Sequence, residues 1–114
     1  TACSSGSAAL EMAVSALELE VGSEIILPSM TIISCAQAIT KNNLKPVLVD
    51  CDLKTFNMNV CDIESKITNK TRAIMVVHIF GITVDMDPVI SIAQKYNLKI
   101  IEDAAEVHGQ TYKG

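Results

Sequence analysis

Tryptophan is absent, and aromatic residues make up only 4% of the 114 residues. The interior must therefore be aliphatic. No cluster of Lys or Arg occurs, and the formal net charge is −4, which argues against a nucleic-acid footprint. The four cysteines, Cys3, Cys35, Cys51 and Cys61, form no CxxC pair. That spacing lacks the common zinc patterns and points to free thiols in a reducing cytoplasm, with disulfides or zinc as the alternative reading. The longest apolar stretches, residues 25–39 and 73–84, are interrupted by Pro28, Ser29, Thr31, Gln37, His78 and Gly81. Neither reads as a membrane span. No signal peptide, internal repeat or low-complexity tract is visible. Gly-Lys-Ser/Thr is missing, so there is no P-loop, and there is no GxGxxG.

What is present is apolar: 49% hydrophobic residues and a mean hydropathy of +0.34. The length allows one domain at most. Such a composition suits the central parallel sheet of a larger α/β protein, whose strands are apolar on both faces. The chain lacks an initiator Met and stops within Tyr112-Lys113-Gly114, so it is expected to be an internal fragment. An isolated slice with open sheet edges is expected to fold poorly.

Apolar runs and helical periodicities alternate regularly. Thr1–Cys3 reads as the end of a strand, and Ser4–Ser7 as a tight turn. A helix follows with Leu10, Ala13, Val14 and Leu17 on one face, and Gly22 ends the unit. Glu24–Leu27 is a strand stopped by Pro28. Thr31–Lys41 reads as a helix, Lys45–Val49 as a strand, and Asn59 as the cap of a short helix carrying Val60, Ile63 and Ile67. Ala73–Val77 is a core strand ending at His78. Asp87-Pro88 is a helix-start signal, opening a face of Val89, Ile92, Ala93 and Tyr96. Lys99–Glu102 is the last strand. Strands alternating with helices imply a parallel sheet with right-handed crossovers.

Polar residues gather where the strands end, at Ser29, Asp50, His78 and Asp103. In an open parallel sheet these ends share one rim, where ligands bind. An Asp there is costly to bury without a protein cation, a metal, a ribose hydroxyl or a protonated ring nitrogen as partner. Ser4–Ala9 precedes a helix. Its free backbone N–H groups and the helix dipole favour an anion, or it serves simply as an N-cap with a glycine turn. Asp103 lies far from Gly6, which fits a dinucleotide site poorly. A phosphate cup and a separate acid suit a cofactor with a phosphate and a basic ring nitrogen, and pyridoxal phosphate has both. His78 and His108 lack a visible activating partner and read as packing or hydrogen-bonding residues. Asp50 with Asp52 is too sparse for a metal site. Asp85 and Asp87 read as helix caps. The five methionines form no stripe and read as core filling.

The segments Ser5–Leu10, Pro28–Thr31, Lys45–Asp50, Val77–Gly81 and Ile101–Glu106 occur in order. Together they resemble the DegT/StrS family of pyridoxal-phosphate-dependent sugar aminotransferases, its perosamine-synthase-like members in particular. The resemblance covers essentially the whole chain. It implies part of the large domain of a fold type I enzyme, an α/β fold with a mostly parallel central sheet and flanking helices. The preceding segment, the catalytic-lysine segment and the C-terminal domain are then absent from residues 1–114.

By the same resemblance, Gly6, Ser7 and Ala8 hold the phosphate of pyridoxal 5′-phosphate, and Asp103 pairs with the pyridinium nitrogen. Glu106 takes a position beside the cofactor. Ile32 stands where the family usually places an aromatic over the ring, at a loss of about 1 kcal/mol of stacking. The Schiff-base lysine is expected downstream of Gly114, so no catalytic residue lies within this segment. Lys113 is not that residue.

The implied activity is transfer of an amino group from an amino acid, glutamate, to a nucleotide-linked 4-keto-6-deoxy sugar for polysaccharide or antibiotic-sugar synthesis. Histidine at the lysine position would instead imply a sugar 3-dehydratase. A non-catalytic or regulatory protein of the same fold is the third reading. A cytoplasmic homodimer is expected, with no nucleic acid, membrane or metal partner.

Overall fold

The computed structural model describes residues 1–114. Four strands, β1 (Glu24–Pro28), β2 (Lys45–Val49), β3 (Thr71–Val77) and β4 (Lys99–Asp103), form one sheet in the order β2-β1-β3-β4. Every pairing is parallel. Three helices, α1 (Gly6–Ser15), α2 (Ile33–Lys41) and α3 (Met86–Tyr96), flank it.

Alternation along the inner strands sorts the core into two layers. Ile25 and Leu27 of β1, with Ala73, Met75 and Val77 of β3, pack against Leu10 and Val14 of α1 and Cys35, Ala38 and Ile39 of α2. Ile26, Ile74 and Val76 face the opposite way, onto Ile63, Met86, Val89 and Ala93. Ile25, Ile26 and Leu27 are all fully buried. Each contributes about 1.5–3 kcal/mol by the usual transfer value, which makes β1 the anchor of both layers.

The topology also locates the rim. From β1 the chain crosses by α2 to β2; from β3 it crosses by α3 to β4, in the opposite direction. The two crossover helices lie on opposite faces, as same-handed crossovers in opposite directions require. A crevice opens at the carboxyl ends where the order reverses. Ser29, Asp50, His78 and Asp103 sit at or just beyond those ends.

Several boundaries differ from the sequence expectation. Pro28 belongs to β1, because pairing with β3 has already ended at Ile26 and no N–H is needed there. Helix α2 starts at Ile33, with Ile32 as a cap that makes no side-chain bond. The Thr31 hydroxyl donates to Cys35 Sγ instead (3.3 Å). Asn59 does cap, accepting from the Cys61 N–H, but it opens two 3-10 turns, Val60–Asp62 and Glu64–Lys66, in place of an α-helix.

Helix α3 begins at Met86 with Asp85 at the cap position, so Asp87 is not its cap. Pro88 is tolerated at the third helical position because first-turn N–H groups have no intrahelical partner. The Asp85 carboxylate accepts from the Tyr112 hydroxyl, and Asp87 pairs with Lys113. Thr1–Cys3 forms no strand and is exposed.

Candidate functional site

Helix α1 begins over the rim. Ser5, in extended backbone, caps it by accepting the Ala8 N–H on its hydroxyl (3.2 Å). The N–H groups of Gly6 and Ser7 donate to no protein acceptor. Two amides and the positive end of the helix dipole are thus available to an anion. The third cup residue, Ala8, already spends its amide on the cap. A methyl group added at Gly6 would touch nothing in the chain, so packing does not demand glycine there. The Ser7 hydroxyl bonds the Ser34 hydroxyl of α2 (2.8 Å).

An open cleft of about 580 Å³ lies between this first turn and the end of β4. Ser5, Gly6, Leu10, Asp103, Ala104 and His108 are among its walls. Asp103 is half-buried. Its Oδ1 accepts the Ala105 N–H (3.1 Å), and its Oδ2 accepts the Cys35 thiol (3.6 Å). No Lys, Arg or His forms an ion pair with it. Burial, with the nearby Asp103 charge as a smaller cause, pushes the Cys35 thiol up. Cys35 therefore stays a neutral donor. The result is a carboxylate at the cleft wall with no protein cation paired to it.

The cleft brings Gly6 and Asp103 together. Ser7 and Ala8 continue the same turn outside the lining. Ile32 sits at the head of α2 and is 60% exposed. The Glu106 carboxylate accepts the Phe80 N–H, tying the turn after β4 to the loop after β3. Neither Ile32 nor Glu106 lines the cleft.

Sequence reasoning missed the partners of Cys35 and His78. Cys35 lies 68 positions before Asp103, and no local spacing announces the contact. His78 is 2% exposed, with Nδ1 accepting the Val84 N–H (3.0 Å) and Nε2 against Glu102 Oε1 (2.9 Å). His108 joins the cleft wall. All four cysteines are free. No group of three or more His, Cys, Asp or Glu side chains could hold a metal ion. No helix is long and apolar enough to cross a membrane.

Residues 1–114 match the DegT/DnrJ/EryC1/StrS aminotransferase family over their whole length. The chain belongs to this family. Among relatives of the family, GDP-perosamine synthase of Caulobacter vibrioides is 46% identical over 113 residues, covering 99% of this chain and 30% of that protein. The dTDP-3-amino-3,6-dideoxy-alpha-D-galactopyranose transaminase of Aneurinibacillus thermoaerophilus is 47% identical over 106 residues, covering 93% of this chain and 29% of that protein. The structure of NtdA from Bacillus subtilis with bound cofactor PMP superposes with a TM-score of 0.91 at 36% identity, over 95% of this chain and 25% of that one. The chain therefore spans about 30% of the length of the curated relatives it matches. The expected fold, a parallel α/β sheet with flanking helices, agrees with the structure.

Proposed function

We propose that this chain forms the cofactor-binding part of a pyridoxal-5′-phosphate-dependent aminotransferase that carries an amino group from glutamate to a nucleotide-linked 4-keto-6-deoxy sugar. The observation that carries the reading is the unpaired Asp103 carboxylate on the same cleft as Gly6, whose free amide and that of the adjoining Ser7 open helix α1. A molecule with an anionic phosphate at one end and a protonated ring nitrogen at the other satisfies both. The family membership and the amino-sugar relatives support the same chemistry.

In this reading Gly6 and Ser7 donate N–H groups to the phosphate, and Ala8 continues the turn that presents them. Asp103 holds the proton on the ring nitrogen. Ile32 supplies an aliphatic surface for the ring face, and Glu106 stands beside the cofactor, fixed by its bond to Phe80. When bound, the cofactor supplies the electron sink that amino-group transfer needs. No residue of this segment acts as the proton-transferring base; that role falls to a lysine beyond Gly114. The segment belongs to the large domain, and the working enzyme is a cytoplasmic homodimer.

Asp103→Ala in the intact enzyme tests the proposal. Turnover, read as 2-oxoglutarate released from glutamate in the presence of a nucleotide keto sugar, is expected to collapse, while part of the cofactor stays bound on the α1 amides. Activity near that of the unmodified enzyme would refute the assignment.

A further inference from the structure

The sulfur of Cys35 is fully buried in the α1/α2 layer of the core, yet it touches two polar groups. The Thr31 hydroxyl donates to it (3.3 Å), and the thiol donates to Asp103 Oδ2 (3.6 Å). Thr31 and Cys35 are one helical turn apart at the head of α2, and Asp103 closes β4, so the chain of bonds joins two elements across the layer. Its direction is set by chemistry. A threonine hydroxyl pointing its hydrogen at sulfur leaves the sulfur's own hydrogen for the carboxylate, which can only accept.

The other carboxylate oxygen is held from a different side. Asp103 Oδ1 accepts the Ala105 N–H from the turn after β4 (3.1 Å). Two neutral donors from two elements therefore fix the plane of the carboxylate. Neither cancels its charge, and a thiol is a weak donor. A lysine or arginine in place of Cys35 would also orient Asp103, but would neutralise it and remove its reason to hold a ring proton.

We propose that Cys35 is a positioning residue for Asp103, a neutral thiol oriented by Thr31 that sets the carboxylate's direction while leaving its charge for the cofactor's ring nitrogen. The inference rests on the cofactor assignment above and adds to it a residue that the assignment does not need. It distinguishes Cys35 from the neighbouring core residues Ala38 and Ile39, which belong to the same layer and whose side chains carry no hydrogen-bonding group.

The test is the dissociation constant of pyridoxal 5′-phosphate from the holoenzyme, measured by spectral titration, with the pH dependence of the bound cofactor's visible band as a second readout. Cys35→Ala removes the donor and is expected to weaken binding about threefold to fivefold, the worth of one weak hydrogen bond to a charged group. The band is expected to change with pH at a different point. Cys35→Ser restores a donor and is expected to return both readouts close to those of the unmodified protein. Equal behaviour of the alanine and serine variants, or an alanine variant indistinguishable from the unmodified protein, overturns the proposal.

Where Cys35→Ala does not accumulate folded, Thr31→Val carries the test, since it keeps the thiol and removes its orienting hydroxyl. It is expected to move both readouts in the same direction, and no movement overturns the proposal. Asp103→Asn separates this inference from its foundation. If it leaves cofactor affinity and spectrum unchanged, the cofactor assignment itself fails. If it changes them while the Cys35 variants do not, only the positioning role fails.

Discussion

Glu24 opens the central strand β1 with a charge in a buried position, its side chain only 6% exposed. Three elements converge on it. Oε2 accepts the Thr68 hydroxyl (2.6 Å) and the Thr71 hydroxyl (3.4 Å), and Oε1 accepts the Lys45 ammonium (3.1 Å). The start of β2 and the turn leading into β3 are thereby fastened to β1 at the rim opposite the cleft. The Thr68 hydroxyl is the largest cause holding the Glu24 carboxyl below its usual value of 4.5; burial opposes it, and Lys45 assists.

Thr68→Val removes that donor while keeping the branched shape. A hydrogen bond to a charged group contributes about 1.5–3 kcal/mol. Lys45 and Thr71 remain to share the carboxylate, so the lower part of that range, about 1.5–2 kcal/mol, is expected. The freed Lys70 N–H, which the Thr68 hydroxyl also accepts, is exposed and turns to water. In urea unfolding the midpoint should fall by about 0.5–2 M with the slope unchanged.

The sign with pH follows from the depressed folded value. Stabilisation from Glu24 is complete above 4.5 and is lost as pH falls through the folded value. The gap between variant and unmodified protein should therefore be full at neutral pH and close in acid. A midpoint shift equally large at pH 7 and well below 4.5 would refute the clamp.

Two further outcomes concern the site. Ser5→Ala removes the hydroxyl that caps α1 and should cost about 1 kcal/mol in unfolding measurements; it should also weaken the affinity for inorganic phosphate by loosening the turn that carries the free amides. Cys35, with no exposed surface, should resist an aromatic disulfide reagent in the native protein and react only on unfolding, whereas exposed Cys61 should react at once. Rapid modification of Cys35 in the folded protein would contradict its place beneath Asp103.

The sheet was legible because its strands carry their own signals. The Ala73–Val77 run lies within β3, since a continuous apolar stretch bounded by polar residues specifies a buried strand with little help from outside; Lys45–Val49 matches β2 although that strand lies at the sheet edge with only Val49 buried. The rim followed from the same reading, because parallel strands must end together. Helix starts were less legible. Asp87-Pro88 carries a start signal, yet the chain begins α3 two residues earlier, with Asp85 at the cap position, and Tyr112 and Lys113 engage the two acids from afar. The contacts that shape the site, Cys35 to Asp103 and His78 to Glu102, join residues distant in sequence, and strand order alone brings them together. No periodicity encodes that order.

The His78 cluster shows how unevenly such a contact divides between its partners. Nδ1 accepts the N–H of Val84, a buried residue, so the ring proton resides on Nε2 and is donated to Glu102. The Glu102 side chain is half exposed, so water solvates its carboxylate, and glutamine in its place keeps an acceptor for Nε2, at a cost of about 1 kcal/mol or less. Water has no such access to the Val84 amide. His78→Phe fills the space but orphans that amide, at a cost of about 1–3 kcal/mol. Glu102→Gln should therefore be nearly silent in thermal unfolding, and His78→Phe should not. Nitrogen chemical shifts should report the Nε2–H tautomer in the unmodified protein. Equal destabilisation by the two substitutions, or the Nδ1–H tautomer, would show that Glu102 rather than the Val84 amide governs the histidine.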